Sequence, residues 1–96
     1  MKLLDNALVT GPGEWFKTFG IDDPVVQAIG AGVGDTVQIE GTNENPDRVA
    51  APTVSDVGTV INSEDFQTLE FIPDFIRANL TATGGGGVTV ILSDYH

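Results

Sequence analysis

The chain has 96 residues and no cysteine, which points to one domain and excludes a disulfide framework or a thiolate-bound metal. Four Lys and Arg stand against fourteen Asp and Glu, a formal net charge of −10. Phosphate backbones repel such a chain, so no nucleic-acid partner is expected, while 41% hydrophobic residues argue for a folded domain over an acidic disordered tail.

Met1-Lys2-Leu3-Leu4 opens like a secretion signal, but Asp5 and Asn6 interrupt its apolar core at once. No apolar run approaches the length of a membrane span, so no membrane partner is expected. Turn signals then recur at residues 11–13, 22–24, 30–34, 41–47, 62–65 and 84–87 and separate short apolar runs. That spacing predicts an all-β fold, a sandwich or a barrel, with packed antiparallel sheets around the core. Strands are expected at residues 4–10, 14–18, 36–40, 57–61 and 68–72. Residues 25–30, within "DDPVVQAIG", read two ways. The acidic start, Pro24 and the Gly30 stop suit one short helix, the most the fold would contain, whereas β-branched Val25, Val26 and Ile29 suit a strand.

The strongest alternation is "FIRANLTAT", residues 75–83, with Ile76, Ala78, Leu80 and Ala82 on one face and Arg77, Asn79, Thr81 and Thr83 on the other. "VTVILS" follows with Val88, Val90 and Leu92 in step, and the two predict a hairpin turning through residues 84–87. The expected core is Val37, Ile39, Leu69, Phe71, Ile76, Leu80, Val90 and Leu92. Pro73 belongs at a strand start or edge, since it cannot donate to a ladder. The longest polar interval, residues 43–52, is the expected mobile loop.

Catalytic signals are weak. His96, the only histidine, is the last residue, and no internal histidine could serve as a base for Ser55, Ser63 or Ser93. Acid pairs such as Asp22-Asp23 and Glu64-Asp65 read as turn decoration, and a small paired-acid hydrolase ranks last. "GIDD", "TNENPD" and "NSEDF" offer oxygen ligands without the spacing of a calcium loop, so no metal and no cofactor are expected. "GAGVG" lacks the dinucleotide spacing and leads into a strand, and "GGGG" has no Lys-Ser/Thr behind it, so both read as turns. "NLT" matches a glycosylation acceptor in mid-strand and reads as accidental.

"GEWFKTFG" is the segment that invites a function. Strand alternation puts Trp15, Lys17 and Phe19 on one face and Phe16 on the other. The plain reading makes Trp15 and Phe19 core residues with Phe16 under a loop. The functional reading makes Trp15, Phe16 and Phe19 anchors of a protein interface, and a third reading makes a sugar-stacking platform.

Taken together, "VTGPGEWF", "TVQIEGTNENPD" and "FIPDFIRANLTATGGGGVTVIL" resemble small virion proteins of tailed bacteriophages, from Val9 to Leu92. The resemblance implies a single antiparallel β-sandwich domain over residues 1–96, with the jelly roll among its arrangements, that acts as a capsid decoration (cement) protein on the outer capsid surface. It implies the major capsid protein or other virion proteins as partners, a homodimer or homotrimer, and residues 1–13 as a contact arm beside the aromatic segment. A tail, fibre or baseplate accessory role and a carbohydrate-binding sandwich are the alternatives. The loop after "QIEG" departs from the commoner phrase at Thr42 and at residues 44–46, so no loop role carries over.

Overall fold

The computed structural model describes residues 1–32 and 34–94, and these described residues form nine strands and no helix. Val33 of the 30–34 turn and His96 lie outside the described residues. The strands are β1 (Lys2–Ala7), β2 (Gly11–Pro12), β3 (Phe16–Lys17), β4 (Pro24–Ile29), β5 (Thr36–Thr42), β6 (Ser55–Asp56), β7 (Phe66–Thr68), β8 (Phe75–Ala82) and β9 (Val88–Asp94). One sheet runs β1-β9-β4-β7; the other runs β2-β8-β5-β6, with β3 also paired to β8. All of these pairings are antiparallel.

Because β2 meets β8 at Leu80 and β3 meets it at Ile76, the two short pieces act as one interrupted strand. Four pairs then nest inside one another along the chain: β1 with β9, β2 and β3 with β8, β4 with β7, and β5 with β6. This is a ribbon folded back at residues 43–54 and rolled into two sheets, the pairing scheme of a jelly roll.

Alternation explains where the core lies. Ile76, Ala78 and Leu80 of β8 face inward, as do Val88, Val90 and Leu92 of β9, Val37 and Ile39 of β5, and Val26 and Ala28 of β4. Each side chain of Leu80's size removed from water stabilises the fold by about 1.5–3 kcal/mol. The ambiguous segment 25–30 resolves as a strand, because β4 is laddered on both sides, to β9 and to β7. An interior strand satisfies its backbone and lets Val26 and Ala28 reach the core.

Several expectations are corrected. β8 and β9 do not form a hairpin: they lie in opposite sheets with their apolar faces turned toward each other, and residues 83–87 cross between the layers. The crossing is held by Asp35, whose carboxylate accepts the Gly84 N–H at 2.8 Å and the Gly32 N–H at 2.9 Å. At the same turn a Cβ on Gly87 would overlap Asn6 Oδ1, so a side chain there requires the Asn6 side chain to move. The strand expected at 57–61 is absent; β6 precedes it, Gly58 takes φ +75°, and a single bridge joins Ile61 to Val37. The strand expected at 68–72 sits earlier, as β7, and Phe71 leaves the core with 61% of its surface exposed. Leu69 turns inward at the end of β7, its N–H bonded to the Pro24 carbonyl, and the chain then leaves the ladder, so period two no longer applies at Phe71.

Segment 1–13 contributes to both sheets, β1 beside β9 and β2 beside β8. Leu3 is buried, and Met1 exchanges backbone hydrogen bonds with Leu92. The ladder shifts register around Asn6, at φ +50°, and β1 ends at Ala7, earlier than expected, leaving Leu8 and Val9 exposed between the sheets' edges.

Candidate protein-interaction surface

The aromatic segment does not form one patch. Phe16 lies opposite Ile76 and packs against the core while remaining half-buried. Trp15, also half-buried, turns to the outer face of the β8 sheet, where the Arg77 guanidinium lies 4.4 Å from its ring centroid. Arg77 Nε in turn donates to Glu40 Oε1 at 2.8 Å, and Asn79 Nδ2 donates to Glu40 Oε2 at 3.2 Å. β-Sheet geometry makes this possible: Glu40 on β5 is in register with Arg77 on β8, and Asn79 is one outward position further along the same strand. The arrangement uses the whole carboxylate and one ring face internally. It fastens the 13–15 segment to the sheet.

Phe19 is the reverse case. The expected core residue is 99% exposed. The strand that alternation extended to Phe19 stops at Lys17, because Thr18 turns inward: its hydroxyl donates to the Pro73 carbonyl and its N–H to the Asp74 carbonyl at 3.1 Å. The Thr18 carbonyl then accepts from the Ile21 N–H at 3.1 Å, closing a four-residue turn. Gly20 at φ +84° supplies the positive φ that such a turn needs at its third position. Phe19 therefore occupies the outer corner of a turn whose base is pinned to residues 73–74. Ile21 and Ile72, packed on the core, and Phe75 line a shallow groove beside it.

The polar loop after β5 carries its own framework. Asn43 Oδ1 accepts from the Asp74 N–H, Asn45 Oδ1 from the Asp47 N–H, and Glu44 Oε1 from the Thr53 N–H, all at 2.9 Å. The Thr53 N–H holds the Glu44 carboxyl below its usual range, and the Gly84 and Gly32 N–H groups do the same for Asp35. Among the described residues no group of three or more His, Asp or Glu is placed to hold a metal ion.

Sequence reading missed three large apolar side chains along the side of the sandwich where β6 and β7 form the sheet edges: Val60, Phe66 and Phe71, exposed by 52%, 65% and 61%. Phe66 pairs with Gln27 and so faces outward with it. Its signal in the sequence was its place beside Glu64 and Asp65, where an apolar ring sits within an acidic turn. No protein-family model, curated protein or solved structure matches this chain.

Proposed function

We propose that this chain is a structural virion protein of a tailed bacteriophage, a decoration (cement) protein that docks on the major capsid protein at the outer shell. The observation that carries the reading is Phe19, a fully exposed aromatic side chain held at the corner of a turn that is pinned to the framework. A backbone already held in place leaves only the ring's own rotamers to be ordered on docking, and the ring supplies an apolar anchor for a contact. The sequence resemblance from Val9 to Leu92 supplies the kind of assembly. The fold does not, since jelly rolls carry capsid domains and lectins alike. The net charge of −10 suits an exterior protein kept away from packaged nucleic acid. Docking on a shell adds stability to so small a domain by mass action, and copies arranged about the shell's symmetry axes form the dimers or trimers of the proposal.

The test is cosedimentation of the purified chain with capsids of its source phage before and after maturation. Saturable binding to mature shells, weakened about tenfold or more by Phe19→Ser, is the expected result. Electron microscopy showing the protein on tails and not on heads would replace this reading with the tail-accessory one. The sugar-binding reading has less support, because Arg77 covers one face of the Trp15 ring.

A further inference from the structure

The side of the sandwich bounded by β6 and β7 has properties that the Phe19 turn does not account for. Val60, Phe66 and Phe71 stand exposed along it. Two hollows connect them, one between Val60 and Phe66 and one reaching Phe71, and both are lined by Thr59, Gln67 and Thr68. The floor is fixed. Gln67 Nε2 donates to the Thr59 carbonyl at 3.0 Å and to its hydroxyl at 2.5 Å, while Ile61 and Val37 exchange backbone hydrogen bonds at 2.8 Å. The three apolar side chains are therefore displayed on a braced frame, the condition under which little order is lost on binding.

The charge around them has one sign. Asp65 lines the first hollow and Glu70 the second, with Glu64 beside Asp65 in the chain, all three exposed, and residues 49–76 contain no Lys, Arg or His. Lys2 is ion-paired to Asp5 on β1, at the opposite edge of its sheet, and Arg77 to Glu40 on the outer face of the other sheet, one strand in from β6. A second copy of the chain, meeting this surface through a two-fold axis, would set one acidic rim against another, an arrangement that like-charge repulsion opposes. A partner with the opposite rim gains attraction at the edge and burial at the centre.

We propose that this flank is a second docking surface and that its occupant is a basic protein surface, one that offers apolar pockets for Phe66 and Phe71 inside a rim of Lys and Arg. The proposal is independent of the Phe19 contact and of the kind of assembly the chain joins.

The experiment is an amide chemical-shift titration of the labelled full chain with two amphipathic peptides of equal leucine content, one carrying lysine and the other glutamate. The expected result is a response to the lysine peptide centred on residues 58–71. That response should weaken about fivefold or more between low and physiological salt, as exposed charges become screened. Phe66→Ser combined with Phe71→Ser should weaken it about tenfold. Glu64→Lys combined with Glu70→Lys should transfer the response to the glutamate peptide. Equal response to both peptides would reduce the flank to unspecific apolar contact and overturn the proposal, as would no response or one centred on Phe19. Sedimentation equilibrium completes the test: a dimer abolished by the Phe66 and Phe71 substitutions would assign the surface to a second copy instead.

Discussion

Two surfaces of this small sandwich treat their aromatic and charged groups in opposite ways. On the outer face of the β8 sheet, Trp15 lies against Arg77, Arg77 is paired to Glu40, and Glu40 also takes Asn79. On the β6–β7 flank, Phe66 and Phe71 are open to solvent among carboxylates that have no cation of their own segment to meet. The first surface is complete without a partner and its groups act on stability. The second leaves both apolar area and charge unspent, so its groups act on association. Residue type does not separate the two; the partners in register do.

Leu80→Ala removes core volume under the β8 sheet and should cost about 3 kcal/mol, read from urea unfolding, lowering both surfaces together. Glu40→Ala should cost about 2 kcal/mol, because it strands the largely buried Arg77 and leaves Asn79 without its acceptor. The same substitution should leave docking through Phe19 or Phe66 unchanged once the protein is folded, which a binding titration below the unfolding midpoint checks.

Asp35→Asn has an effect defined by pH. The folded Asp35 carboxyl titrates below its ordinary value of 3.8, so its contribution is fully present above that value and is lost as pH falls through the lower folded value. Thermal melts of the parent chain should fall as pH drops below about 4, and the Asn variant should lose part of that slope while being less stable at neutral pH. Smallest of all, Phe66→Ser and Phe71→Ser should each shift stability by no more than about 0.5 kcal/mol, since neither side chain is buried. A loss of several times that size would move these residues from association to folding and erase the contrast.

Much of the sandwich was legible because period two is a local property. Ile76, Ala78 and Leu80, and likewise Val88, Val90 and Leu92, announce which face of each strand is buried. They do not announce which strand lies alongside, so the same alternation suits a hairpin in one sheet and a crossing between two; the Asp35 carboxylate that holds the crossing is far off in sequence. Val26 and Ala28 gave too short a pattern to separate strand from helix until β7 and β9 closed on either side. At the aromatic segment, alternation failed where the chain left the ladder. The Thr18 hydroxyl on the Pro73 carbonyl ends the strand and turns Phe19 outward, and no local pattern encodes a contact 55 residues away. Phe71 went the same way for the same reason, one turn past the end of β7.

The nested pairing also sets a schedule for the newborn chain. Each sheet has one interior strand, β9 in the first and β8 in the second, that follows every strand it pairs with. While the ribosome adds residues at about 5–20 per second, β1, β2, β3, β4 and β5 emerge before the neighbours that complete their ladders. For those seconds Leu3, Val26, Val37 and Ile39 lack the completed sheets that cover them, since only β4 with β7 and β5 with β6 have their partners at hand. Consolidation of the two sheets waits for β8 and β9, which places the burden of keeping the nascent segment soluble on its abundant carboxylates.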